Sequence, residues 1–95
     1  MSLIPRHAPS PDRARRLVLF KYDACPYCQR VMRAASRMGL ELPMRDTRMD
    51  PSARSELVRA TGGTQVPCLF IDDEPLLESA DIVAWLEAYA AVQQG

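Results

Sequence analysis

Two cysteines, spaced as Cys25-Pro26-Tyr27-Cys28, are the side chains of this sequence best able to do covalent chemistry. Thiols three positions apart at the opening of a helix lie close enough to bridge. The first of them also sits where unpaired amide hydrogens and the helix macrodipole favour a thiolate over a thiol. A thiolate is the species that attacks a disulfide sulfur. The spacing therefore assigns Cys25 as nucleophile and Cys28, one turn inside, as the resolving thiol. Pro26 removes an amide that would compete at the helix start and stiffens the loop. The other use of such a pair is half of a zinc site. That would need two more ligands, and only Cys68 and His7 are left to supply them, so redox chemistry is the reading and no metal is expected.

A second constellation is Thr64-Gln65-Val66-Pro67-Cys68. A proline entering an apolar strand normally demotes that strand to an edge. Either Pro67 is an ordinary trans edge proline, or it is cis and faces the dithiol, offering the backbone of Val66 to a substrate chain. Cys68 reads as a small core hydrophobe.

The elements that must position these residues follow from hydrophobic spacing. Leu17-Val18-Leu19-Phe20 is a short apolar run, the mark of a strand covered on both faces. Helical spacing over residues 26–38 predicts a helix that Gly39 stops. Residues 40–46 alternate as a second strand. Asp50-Pro51 opens another helix, with Ala53, Leu57, Val58 and Ala60 inward and an end at Gly62-Gly63. Residues 66–71 form a third strand, 72–74 a tight turn, and 75–77 an edge strand. Ser79 caps a last helix reaching about Val92. A helical crossover makes the first two strands parallel, and the tight turn makes the last two antiparallel. The expected fold is a mixed four-stranded sheet with helices on both faces. From Ile82 to Val92 only Glu87 is charged, so this helix is either buried between layers or part of an interface. The expectation is a monomer, with a weak dimer through Trp85 or Tyr89 as the alternative.

The chain has 95 residues, 47% of them hydrophobic and 25% charged, enough for one domain. Twelve basic and twelve acidic side chains cancel, which argues against a nucleic-acid or membrane-surface binder. No run approaches the roughly 20 apolar residues that span a bilayer. Residues 1–16 carry Pro5, Arg6, His7, Pro9, Pro11 and Asp12 and read as an irregular, solvated tail without a signal-peptide core. The expected compartment is the cytoplasm, where thiols stay reduced. Arg30, Arg33 and Arg37 share one side of the first helix; Arg30 is placed to steer an anion, and the other two read as a solvated face.

Cys-Pro-Tyr-Cys after a short strand, Thr64-Gln65-Val66-Pro67 further on, and Glu78-Ser79-Ala80-Asp81 heading a final helix together resemble a glutaredoxin of the thioredoxin superfamily. The likeness covers residues 17–92. It implies an α/β thioredoxin-like fold and a cis Pro67. Glutathione is implied as co-substrate, with the Val66 backbone pairing its cysteinyl part. The same likeness puts the γ-glutamyl carboxylate at Ser79 and the amides opening the last helix, Tyr27 along the groove, and Gln65 near the glycyl carboxylate. Partners are then glutathione and disulfide-bearing or glutathionylated proteins. Two positions depart from the pattern. Tyr22 stands where glutaredoxins commonly carry a basic residue, with Lys21 beside it, and Leu77-Glu78 replaces a glycine pair. The Glu78-Ser79 pair is similar to the N-terminal domain of glutathione S-transferases, where such a pair recognises the γ-glutamyl group. Alternatives to a dithiol oxidoreductase are a glutathione-ligated iron–sulfur carrier, which the stiff Pro26 loop disfavours, and a transferase-like binding module without turnover.

Overall fold

The computed structural model describes residues 7–94; of the predicted tail, residues 1–6, including Pro5 and Arg6, lie outside the described residues. Elements run β1 (Leu17–Lys21), α1 (Pro26–Arg37), β2 (Met44–Asp46), α2 (Pro51–Thr61), β3 (Cys68–Ile71), β4 (Glu74–Leu77) and α3 (Ser79–Gln94). The sheet order is β2-β1-β3-β4. β1 and β2 are parallel, and β3 runs antiparallel to both β1 and β4. The thioredoxin-like architecture expected from the sequence is the one observed.

Strand alternation builds two cores. Leu17, Leu19, Leu69, Ile71 and Leu76 face α1 and α3 and meet Val31, Ala35, Ile82, Trp85 and Leu86. Phe20 and Cys68 point the other way, against Ala53 and Leu57 of α2. Only those two α2 side chains are buried; Val58 and Ala60, expected inward, are exposed. A single helix laid on a sheet reaches it along one i, i+4 stripe, and these two positions fall outside it.

Two strands are shorter than predicted because of proline. Pro43 and Pro67 have no amide to give to a ladder, so β2 begins at Met44, behind a Leu19 amide bonded to the Pro43 carbonyl (2.9 Å), and β3 begins at Cys68. Asp72 and Asp73, with φ of 48° and 72°, form the two-residue turn between β3 and β4. α1 ends as its glycine foretells: Gly39 (φ 73°) is left-handed, with Leu40 N–H on the Ala35 carbonyl and Gly39 N–H on Ser36.

Residues 7–16 hold no helix or strand, yet they are not the solvated extension expected. The Trp85 indole N–H donates to the Pro9 carbonyl at 2.8 Å, and Ala8 and Ala14 pack on the core beside Tyr89. The Asp72 carboxylate accepts the Arg15 and Arg16 amides (3.0 and 2.7 Å), and the Asp72 amide returns a bond to the Arg16 carbonyl (2.9 Å). This strap explains how α3 can be apolar on several sides. It also seals Trp85, which is 0% exposed and so offers no surface to a second copy.

Candidate active site

The strand-to-helix transition delivers Cys25 to the N-cap of α1, in extended backbone geometry (φ −76°, ψ 118°). Its amide donates to the Tyr22 carbonyl at 3.2 Å. Its sulfur accepts the Cys28 amide at 3.3 Å and lies 3.9 Å from the Val66 carbonyl oxygen. Both thiols are unbridged. Their environments differ. Both are buried, but Cys25 caps the helix with 4% exposure, whereas Cys28 has none. Burial, reinforced by the hydrogen bond with Cys25, pushes the Cys28 thiol up to about 12. Burial also pushes Cys68 up to about 12, on the far side of the sheet, as suits a core residue. A buried thiol that keeps its proton is poorly suited to attack a disulfide first.

The Val66–Pro67 peptide bond is cis, the form implied by the resemblance. Pro67 is buried and Val66 half-buried, with its carbonyl toward Cys25. Gln65 Nε2 donates to Glu78 Oε1 at 3.4 Å, so these two residues meet at the rim. Glu78 has a φ of 75°, and its carbonyl accepts the Ile82 amide at 3.0 Å. The α3 backbone thus starts at Glu78, and the cap expected of Ser79 falls one residue earlier. The Ser79 hydroxyl is buried and instead accepts a bond from Arg30 Nη1 at 3.4 Å, linking α1 to the head of α3. Tyr27, two residues after Cys25, is 64% exposed at the α1 surface and does not line the groove beside Val66. The other sequence-predicted residues are brought together.

Lys21 is committed elsewhere. It bonds Asp23 (2.6 Å) and Asp46 (3.5 Å), chiefly the first, which holds its ammonium above the usual lysine range. Asp46 is held below the ordinary carboxylate range, first by the Met49 and Arg48 amides and then by Lys21. This knot fixes the turn that carries Arg48, whose guanidinium lies 3.7 Å above the Tyr22 ring centroid. Beside it is a groove of about 700 Å³ lined by Tyr22, Thr47, Arg48, Arg54, Thr64, Gln65 and Val66. It shares Val66 with the Cys25 contact. Arg48 and Arg54 were not singled out from the sequence. Tyr22 signalled the place, as a missing cation, but nothing local in the chain predicts which residues answer it. A more apolar groove, about 440 Å³ and floored by Val18, Phe20 and Phe70, opens on the α2 side, away from the dithiol. Among the described residues, no three His, Cys, Asp or Glu side chains gather as a metal site, and no helix is long and apolar enough to cross a membrane.

The glutaredoxin family model matches residues 17–76, which span β1, the dithiol, the cis-proline and most of β4. The chain belongs to the glutaredoxin family. A glutaredoxin homologue from Synechocystis sp. is 30% identical over 70 residues, covering 73% of this chain and 80% of its own. Among solved structures, wheat glutaredoxin superposes with a TM-score of 0.65 at 20% identity, over 87% of this chain and 83% of its own. The mango Tau class glutathione S-transferase gives 0.66 at 18% identity over 80% of this chain. A glutathione transferase homologue from Drosophila mojavensis, solved with bound glutathione, gives 0.67 at 20% over 79%. The chain spans about a third of each transferase (34% and 36%), so that likeness concerns the shared thioredoxin-like fold. For this family member, a glutathione-related thiol oxidoreductase is the general class of activity.

Proposed function

We propose that this chain is a dithiol, glutathione-dependent disulfide oxidoreductase, acting on protein disulfides and glutathione mixed disulfides. The inequality of the two sulfurs carries the reading: Cys25 caps a helix with the Cys28 amide aimed at it, while Cys28 is fully buried. The Cys25 thiolate attacks one sulfur of the substrate disulfide. A new S–S bond forms at Cys25, the old one breaks, and the leaving sulfur departs with the electron pair as a thiolate. Release follows by one of two routes. Cys28, once deprotonated, attacks the Cys25 sulfur, frees the bound thiol and closes a Cys25–Cys28 disulfide. Alternatively, a glutathione thiolate attacks a glutathionylated Cys25, giving oxidised glutathione and restoring the Cys25 thiolate. Two glutathiones supply the two electrons of each turnover.

The residues present suit glutathione along one line. Val66, with its carbonyl beside Cys25, pairs with the cysteinyl backbone. Ser79, Glu78 and Arg30 hold the γ-glutamyl end at the head of α3, where free helical amides favour a carboxylate. Gln65, with Arg48 and Arg54 beyond it, receives the glycyl carboxylate, supplying the positive charge that Tyr22 does not. Tyr27, exposed next to Cys25, contacts the substrate rather than the groove floor. Such chemistry needs a reducing compartment, and the cytoplasm is the one we assign. The test is turnover of hydroxyethyl disulfide by glutathione. Activity that requires Cys25 supports the reading, and a preparation with no turnover, or one active as Cys25→Ser, refutes it.

A further inference from the structure

The chain's zero net charge conceals an uneven distribution. Among the described residues, Arg16, Lys21 and Arg45 are matched by carboxylates: Asp73; Asp23 and Asp46; Asp50 and Glu56. Arg48 and Arg54 are two of several arginines that make no ion pair among those residues; what sets these two apart is that they share a groove that no Asp or Glu lines. Arg48 lies over the Tyr22 ring at 3.7 Å, a contact that restricts its guanidinium before any ligand arrives. At about 700 Å³ the groove exceeds what one carboxylate fills, and it runs out from Val66, the residue beside the reactive sulfur. The opposite end of β3 and β4 carries Asp72, Asp73 and Glu74 in succession. Arg16 offsets Asp73 there, so that end offers an acidic partner no comparable attraction, and the groove orients the encounter.

We propose that the Tyr22–Arg48–Arg54 groove selects protein disulfides whose chain bears acidic side chains on one flank of the target cysteine. This deepens the oxidoreductase reading and rests on it, adding a class of protein substrate. In the step concerned, Cys25 bonds to the target cysteine's sulfur, the partner sulfur leaves as a thiolate, and the acidic flank lies along the two guanidiniums.

The test uses the full reduced chain and four short peptides, each with a single cysteine carried as a 2-pyridyl mixed disulfide. One has acidic residues before the cysteine, one has them after it, one is neutral and one is basic. Attack by Cys25 on the peptide sulfur expels 2-thiopyridone, whose absorbance gives the second-order rate. One acidic peptide should react about fivefold faster than the neutral one at low salt, and the basic peptide slower than neutral. The gain should fade at about 0.5 M salt, where screening acts within a few ångströms. It should also vanish in Arg48→Gln/Arg54→Gln. Equal rates for all four peptides, or a gain that persists in the double variant, would overturn the proposal. Should the double variant misfold, the salt dependence and the acidic-to-basic ratio of the unaltered chain decide alone. Hydroxyethyl disulfide turnover, run on the same preparation, tests the broader reading separately: normal turnover without peptide preference sinks only the groove, and no turnover sinks the oxidoreductase.

Discussion

Two helices of this domain begin alike and serve different ends. α1 and α2 each have a polar residue at the N-cap and proline at the next position: Cys25-Pro26 and Asp50-Pro51. At Asp50 a carboxylate oxygen accepts the Ser52 and Ala53 amides at 3.0 and 3.4 Å, and the same side chain bonds Arg45 at 3.2 Å. At Cys25 a sulfur accepts one amide at 3.3 Å and makes no ion pair. Sulfur is a weaker acceptor than a carboxylate, so α1 gives up capping strength at the one place where a reactive atom must face a substrate. The contrast separates a cap selected for stability from one selected for chemistry.

The largest effect that tests this contrast is Cys25→Ser. Hydroxyethyl disulfide turnover should fall to background, while thermal stability holds or rises, because serine is the better cap. A clear loss of stability would mean that the sulfur supports the fold after all. Next is Cys28→Ser, which should keep glutathione-driven removal of glutathione from mixed disulfides yet lose reduction of protein disulfides, as read by paired assays with the two substrate types. Asp50→Ala should do the opposite of Cys25→Ser. Urea unfolding should register a loss of about 1 kcal/mol, and turnover should stay near normal.

A further effect, confined to alkaline pH, concerns the two buried thiols. Cys28 and Cys68 titrate at about 12 in the folded chain, above the ordinary thiol value near 9. Above that ordinary value the unfolded chain sheds these protons while the folded chain retains them. Their contribution to stability is therefore complete below pH 9 and drains away as the pH rises toward 12. Melting temperatures taken across that window should fall, and fall less steeply for Cys68→Ala measured against its own neutral-pH value. An identical slope for that variant would contradict the assignment.

What was legible in the sequence was local. Cys25-Pro26, Asp50-Pro51, Gly39 and Gly62 punctuate the helices through short-range backbone rules, and those boundaries fell where expected. The parallel β1–β2 and antiparallel β3–β4 pairs followed from connection lengths, whereas the central β1–β3 pairing did not. What escaped was tertiary. Val58 and Ala60 obey helical spacing yet lie beyond the stripe that touches the sheet. Nothing near Trp85 in sequence says that Pro9 will take its indole N–H. Within the candidate site, the dithiol was visible because it is a compact motif, while the cis form of Pro67 came only with the family resemblance, the residues alone leaving cis and trans open. The Tyr22–Arg48 stack was not visible: Tyr22 marked a missing cation, but the stack joins the end of β1 to the turn before α2, and nothing local pointed to Arg48.

The docking of Pro9 on Trp85 has a practical consequence. The chain contains a single tryptophan, and it lies in the core where the N-terminal strap crosses α3. Intrinsic fluorescence of the folded protein therefore watches that seam, and a red-shifted emission would announce the strap lifting away.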